Sequence, residues 1–323
     1  MNILIIRFSA LGDLVTREPT FRAIRYFFPD AHITFLTSGV GKGLYEDSLY
    51  FDKILVYKSY IETIKILREK KYDIVFNIQC TKLSHYVVFF LRKITLINKS
   101  HSFFQKLFKL KAQTKSLHVM LSLANIAESE LDSYMQKKES TLITLPFVQQ
   151  EQKNIKIPSI AICTGSSKRW ESKKWGIESY IELIKKLLAD GIQINLVGSS
   201  LEKIDEIKIL QECPTVISFV GKTNFQTLKT LLSRMHLFVG NDSGPTHIAA
   251  GVGTSTLTIF GPTDIKHSPK FGNYRGIHLY IKPHSIIQCH PCYKSMCPTK
   301  HECMQDITVE NVYFQINQFI KDI

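Results

Sequence analysis

Val239-Gly-Asn-Asp-Ser-Gly-Pro-Thr-His-Ile-Ala-Ala250 runs an apolar strand into a polar turn and then into a helix of small residues. Strand, turn and helix in that order form the unit from which parallel α/β sheets are built. The turn stands where the strand's carboxyl end meets the helix N-terminus, the edge at which open α/β sheets bind ligands. Ser243, Gly244 and Thr246 would aim backbone N–H groups at an anion with the helix dipole behind them, and a diphosphate is the natural guest. Ala249, Ala250 and Gly251 let the helix lie close on the sheet. An ordinary turn with Asp242 or Ser243 as N-cap accounts for the cap. It leaves unexplained why Asn241, Asp242, Ser243, Thr246 and His247 crowd together.

The same alternation continues on both sides. Ser159-Ile-Ala-Ile-Cys163, Ile192 to Val197 and Thr256-Leu-Thr-Ile-Phe260 read as strands. A helix from Glu178 to Asp190 carries Tyr180, Leu183, Ile184 and Leu187 on one face and is stopped by Gly191. Toward the N-terminus, Ile3-Leu-Ile-Ile6, His32-Ile-Thr-Phe-Leu36, Lys53-Ile-Leu-Val-Tyr57 and Tyr72-Asp-Ile-Val-Phe-Asn77 are continuous apolar strands, as expected of a sheet covered on both faces. The chain of 323 residues is too long for one ordinary core. The polar stretch Gln149 to Pro158 marks the linker, and a closing helix from about Thr308 carries Val312, Ile316 and Phe319 in its apolar stripe. The fold class is therefore α/β, with two parallel-sheet domains.

Apolar residues make up 44% and charged residues 21%, which excludes wholesale disorder. No apolar run reaches the roughly 18 residues that span a bilayer. The N-terminus lacks a basic leader and a small-residue cleavage site, so a cytoplasmic protein is expected. Lys and Arg exceed Asp and Glu to give a net charge of +13, which points to a phosphorylated ligand, anionic lipid or nucleic acid without choosing among them. Between Ile74 and Ala127 the chain holds eight Lys or Arg and no acid. That segment reads as a helical hairpin with a solvated basic face, or as a surface for an acidic acceptor or lipid head groups. No zinc-finger, RNA-recognition or helix-turn-helix signature accompanies the charge, so nucleic acid is not an expected partner.

Other loops fall at strand ends. Ser9-Ala-Leu-Gly-Asp13 follows the first strand; Gly12 would permit close approach of a ligand, and Asp13 would stand near a helix N-terminus. By itself this is also an ordinary N-cap. Thr164-Gly-Ser-Ser-Lys-Arg-Trp-Glu-Ser-Lys-Lys-Trp175 gathers Lys168, Arg169, Lys173 and Lys174, either a solvated charge run or cations beside a phosphate. Phe260-Gly-Pro-Thr-Asp264 could line the same pocket.

In order and spacing these pieces resemble glycosyltransferase family nine, the bacterial lipopolysaccharide heptosyltransferases: S-x-x-G-D, then K-x-W, then N-D-S-G-x-x-H, then F-G-P-T. The resemblance implies the GT-B architecture, with two Rossmann-like domains facing an interdomain cleft. Residues 1–150 would be the acceptor-side domain and 151–307 the nucleotide-sugar domain, with 308–323 packing back toward the first. It implies an inverting transfer of heptose from an ADP-sugar donor to a phosphorylated glycolipid, the lipid A–core acceptor, with no cofactor required for catalysis. Peripheral contact with the cytoplasmic face of the inner membrane would follow. A branch of the family modifies proteins, so a protein acceptor is the alternative.

By the same resemblance Asp13 is the general base and Lys173 holds the donor phosphate. The Lys-x-Trp context also occurs at Lys168-Arg-Trp170, and Gly176 replaces the family's usual proline. Thr164 and Ser166 match the hydroxyl-bearing turn and Glu202 the ribose-binding acid. Lys222 and Thr223 match the adenine-lining segment, and Asp242, Ser243, Gly244 and His247 the sugar and diphosphate loop.

Of 7 cysteines, Cys289, Cys292, Cys297 and Cys303 cluster near the end of the chain. In a reducing compartment four thiols in so short a loop read as ligands of a structural Zn or Fe, or as reduced cysteines. Similar stretches occur in some members of the resembled family, one branch of which binds iron there.

Overall fold

A computed structural model describes residues 1–79, 81–91, 95–98, 133, 137, 142–146 and 157–322. The chain divides into two compact units, Met1–Leu142 and Ile143–Ile323. The boundary falls a little before the expected 150/151. Ile143 N–H donates to the Asn273 carbonyl and Leu145 N–H to the Gly251 carbonyl, which stitches this strap to the second unit.

The first unit is built on β1 (Asn2–Ile6), β2 (His32–Thr37), β3 (Lys53–Val56), β4 (Ile74–Asn77) and β5 (Thr95–Asn98), ordered β3-β2-β1-β4-β5 and parallel throughout. Helices α1 (Leu11–Thr16), α2 (Glu18–Phe27), α3 (Gly39–Tyr45), α4 (Tyr60–Arg68) and α5 (Lys82–Phe89) make the crossovers. Ile3, Leu4, Ile5 and Ile6 are fully buried, so both faces of β1 are covered, as its unbroken apolar run requires. Phe21, Phe35, Tyr45 and Phe51 pack ring on ring over one face, with Phe35 stacked on Phe51 at 4.4 Å. Of the basic segment expected at 74–127, residues 80, 92–94 and 99–127 lie outside the described residues. The remainder contains β5, which the sequence reading missed.

The second unit orders β6 (Ser159–Cys163), β7 (Gln193–Leu196), β8 (Ile217–Ser218), β9 (Leu237–Asn241), β10 (Ser255–Ile259) and β11 (His278–Ile281) as β11-β10-β9-β6-β7-β8, again all parallel. The helices are α6 (Ile177–Ala189), α7 (Lys203–Glu212), α8 (Phe225–Leu232), α9 (Gly244–Gly251), α10 (Glu302–Gln305) and α11 (Val309–Lys321). The chain winds one way from β6 to β8 and the other way from β9 to β11. The switch point lies between β6 and β9, and the loops that follow these two strands open onto one crevice. The topology alone thus brings Thr164–Trp175 beside Asp242–Thr246.

Thr308 caps α11 through its hydroxyl, which accepts from Asn311 N–H. The helix buries Val312, Ile316 and Phe319 in the same core as Tyr180, Leu183, Ile184 and Leu187 of α6, so its apolar stripe is satisfied within the second unit. The α6–α11 contact forms because the two amphipathic stripes complement each other.

Candidate functional site

The second unit's crevice is held together by Asn241, fully buried at the end of β9. Its Nδ2 donates to the carbonyls of Thr164 (2.8 Å) and Gly165 (3.1 Å), and its Oδ1 accepts from Tyr180 Oη (3.1 Å) and Trp175 N–H (3.3 Å). One amide side chain therefore ties the β6 loop, the start of α6 and the β9 turn together with its hydrogen bonds satisfied. Burial and the neighbouring acids hold the Tyr180 phenol well above its ordinary value, so it remains the donor.

Asp242 follows. It is 7% exposed, and its Oδ2 accepts from Lys173 Nζ at 2.6 Å and Thr263 Oγ1 at 2.7 Å. Lys173 Nζ also donates to the Asp242 carbonyl at 3.1 Å and stands 4.9 Å from the centre of the Trp170 ring. Of the two Lys-x-Trp contexts, it is Lys173 that lies on Asp242; Lys168 and Arg169 are exposed. Thr263, from Phe260-Gly-Pro-Thr-Asp264, completes the trio.

Ser243 is the N-cap of α9, yet its hydroxyl caps nothing: Oγ is buried without a hydrogen-bond partner. Gly244 opens the helix, and Pro245 occupies a first-turn position where a missing N–H costs least. Thr246 Oγ1 turns inward to the Asn241 carbonyl at 2.7 Å. Such a terminus presents unsatisfied N–H groups and positive potential to an anion. His247 Nδ1 lies 3.2 Å from Tyr274 Oη. Burial raises the Tyr274 phenol far above its ordinary value, so it stays protonated beside that nitrogen.

The remaining expected donor residues are placed differently. Glu202 is buried over the ends of β6 and β7, where its Oε2 accepts from Ser199 N–H (2.7 Å) and Ser199 Oγ (2.8 Å). Gly165 makes room for it: a Cβ there would lie 2.1 Å from Glu202 Oε1. The Thr164 hydroxyl donates to Asp205 (2.8 Å) and that of Ser166 to the Trp170 carbonyl (2.5 Å), so both shape the loop from within. Lys222 is exposed, its Nζ on the Ser218 carbonyl at 3.0 Å, with Thr223 half-buried beside it.

Asp13 belongs to the first unit. It lies inside the first turn of α1, and Gly12 is helical there rather than a point of unusual backbone. Its Oδ2 meets Arg7 Nη2 at 2.8 Å and accepts from Ala10 N–H at 3.1 Å, while the side chain remains 56% exposed. Arg7 itself is buried at the end of β1 and donates to the Ile78 carbonyl beyond β4 at 2.9 Å. Gln79 Oε1 accepts from Phe8 N–H at 2.9 Å. The switch point of the first sheet, between β1 and β4, thereby fixes the loop carrying Asp13. Sequence reading missed Arg7, because it acts from a strand end through a contact that no local spacing encodes; it placed the segment holding Thr263 at the pocket without naming that residue's bond to Asp242.

Cys289, Cys292, Cys297 and Cys303 line one cavity together with Ser172, Pro262 and His301. Burial first, then the three neighbouring thiols, raise Cys303 to about 11, whereas the Thr299 hydroxyl first and nearby backbone lower Cys297. Among the described residues no group of three or more His, Cys, Asp or Glu is arranged to hold a metal ion.

The model of glycosyltransferase family 9 (heptosyltransferase) matches residues 61–302. Lipooligosaccharide heptosyltransferase 2 of Campylobacter jejuni is 26% identical, with 100% of this chain and 99% of the relative covered. Among solved structures, a family 9 glycosyl transferase from Veillonella parvula superposes with a TM-score of 0.76 at 17% identity, covering 100% of this chain and 97% of the other. E. coli ADP-heptose lps heptosyltransferase II superposes with a TM-score of 0.73 at 19% identity, covering 100% and 99%. The two doubly wound units are thus those of a GT-B glycosyltransferase, and the chain belongs to glycosyltransferase family 9, the heptosyltransferases.

Proposed function

We propose that this chain moves a heptose from ADP-heptose to a lipopolysaccharide inner-core acceptor with inversion at the anomeric carbon. The observation that carries the donor half is the Lys173–Asp242 pair beside the amino end of α9, where Ser243 Oγ is buried and unpartnered. A diphosphate seated there would take hydrogen bonds from Gly244 and Thr246 N–H and from Ser243, with Lys173 close enough to offset its charge. The names of the relatives supply the sugar and the nucleotide: heptosyltransferases, one of them an ADP-heptose enzyme.

In this reading Asp13 is the general base. Arg7 and Ala10 N–H occupy Oδ2, which leaves the exposed carboxylate its second oxygen for an acceptor hydroxyl. That oxygen takes the hydroxyl proton as the acceptor oxygen bonds to the anomeric carbon. The bond from that carbon to the diphosphate oxygen breaks, and ADP leaves from the opposite face. Lys173 and the α9 amides bear the charge that grows on the leaving group. The step uses no metal, so chelator should leave the rate unchanged. Donor and acceptor both carry phosphate, which suits a net charge of +13.

Peripheral contact of the basic segment with anionic lipid belongs to the same proposal. Among the described residues no helix is long and apolar enough to cross a membrane. Vesicles of anionic lipid should therefore retain the chain at low salt and release it at high salt.

The test is direct. The purified chain is incubated with ADP-heptose and a deep-core acceptor lacking the heptose, and the product is weighed by mass spectrometry. Addition of one heptose is the expected outcome. ADP at about 100 times its Kd should also stabilise the folded chain by about 2.7 kcal/mol. An ADP-sugar that neither binds nor reacts would overturn the reading.

A further inference from the structure

The cysteine loop reaches the donor site by two routes. On one side Ser172, 2% exposed, donates its N–H to the Ser295 carbonyl (3.1 Å) and its hydroxyl to the Lys294 carbonyl (2.5 Å). The Ser172 carbonyl in turn accepts from His301 Nε2. The next residue is Lys173, on Asp242. On the other side Tyr293 N–H donates to the Pro262 carbonyl (3.0 Å), and the next residue is Thr263, also on Asp242. One loop therefore grips the chain one residue away from each side chain that binds Asp242 Oδ2.

Neither gripped segment is regular secondary structure long enough to stiffen itself. Ser172 lies in a three-residue 3-10 turn, Glu171–Lys173, too short to gain helical cooperativity. Pro262 lies in an irregular turn after β10. Lys173 has four rotatable side-chain bonds, and fixing its ammonium costs up to about 2 kcal/mol of rotamer entropy that a mobile turn would increase. The loop removes that freedom before a ligand arrives, and preorganisation of this kind is read as affinity.

We propose that loop 289–303 is a positioning element for the donor site. It sets Lys173 and Thr263 against Asp242 through Ser172 and Pro262, with His301 as its principal side-chain contact. This rests on the reading of the Lys173–Asp242 crevice as the donor diphosphate site. Because a carbonyl only accepts, His301 Nε2 carries the hydrogen of that bond. His301 touches no donor residue, so it acts through Ser172.

The test compares His301→Ala with His301→Gln. Both lose imidazole and both sit at the same positive φ of 64°, so their backbone cost is shared. Only Gln keeps an N–H donor for the Ser172 carbonyl. Two readouts are taken on the full chain: ADP affinity by calorimetry, and hydrogen exchange of the 170–176 and 260–264 segments without ligand. In His301→Ala, ADP affinity should fall about tenfold, the scale of one lost hydrogen bond carried into the site. Exchange should quicken in both segments while the unliganded melting temperature moves little. His301→Gln should restore both.

Ser172→Ala, which removes a single hydroxyl, should move the same readouts in the same direction and serves if His301→Ala does not fold. Unchanged exchange and unchanged ADP affinity overturn the proposal, as does faster exchange with wild-type affinity. If the wild-type chain fails to bind ADP, the donor-site reading falls, and the paired exchange response still decides whether the loop holds the two turns.

Discussion

Asp13 and Asp242 stand at corresponding places, each in the loop or first turn beyond a strand at the switch point of its sheet, and their surroundings are opposite. The Asp242 side chain is 8% exposed, with Lys173 and Thr263 on one oxygen. The Asp13 side chain is 56% exposed and meets a buried arginine and a backbone N–H on one oxygen. A buried carboxylate with a bound cation is a structural part, since removing it strands the partner. An exposed carboxylate held by one oxygen is oriented but still open to a substrate proton. The same residue type at the same kind of strand end is thus enclosed as part of the fold in one unit and left open to solvent in the other, which is what the proposed base role needs.

The comparison is broken or sharpened first at Asp13. Asp13→Asn keeps an oxygen for Arg7 and Ala10 N–H but no longer accepts the proton, so kcat should fall by about 10²–10⁴. The donor KM and the melting temperature should stay near wild type. Steady-state kinetics beside a melting curve separate these, and a near-normal kcat would remove Asp13 from the base role. Asp242→Ala should show the reverse balance. Loss of one partner of a largely buried pair should cost about 3 kcal/mol, at the low end of its range because Lys173 keeps some solvent. ADP affinity should drop as well, because the ammonium loses its anchor. Urea unfolding of the variant, read against ADP titration, checks both.

Much of this contrast was legible in the chain, and the reason is local chemistry. An unbroken apolar run such as Ile3–Ile6 can only be a strand covered on both faces, and Val239–Ala250 spells its strand, turn and helix in sequence. What escaped was the pairing of particular side chains from distant segments. Arg7 meets Asp13 across the loop after β1, and Thr263 reaches Asp242 from another strand end. The path from His301 to Ser172 joins positions more than a hundred residues apart. Strands β5, β8 and β11 were missed for a related reason: they are four residues or fewer, and their pairing rather than their pattern defines them. For Glu202, Thr164 and Ser166, sequence could not show that their oxygens already serve the loops around them.

Ser243 sharpens the comparison with a sign. Its hydroxyl is buried and unpartnered, a cost in the free protein that a ligand would relieve. Ser243→Ala should leave the free chain as stable or slightly more stable while ADP binds about tenfold more weakly. A fall in both would mean that the hydroxyl serves the fold after all. Melting curves with and without ADP give the two numbers in one experiment.

The smallest effect concerns acid, and it again separates the units. Burial holds His85 in the first unit and His278 in the second below the ordinary imidazole value; for His278 the Arg275 carbonyl, which accepts from its Nε2, partly opposes the shift. A histidine lowered on folding takes its proton first in the unfolded chain. The stability it leaves intact is therefore full above the unfolded value of about 6.5 and drains away as pH falls toward the folded value. His278 is 8% exposed and His85 only half-buried, so the larger share of the acid loss should come from the second unit. His278→Gln should flatten the fall of melting temperature below pH of about 6.5 more than His85→Gln does. Equal flattening would show that burial depth is not what sets the two histidines apart.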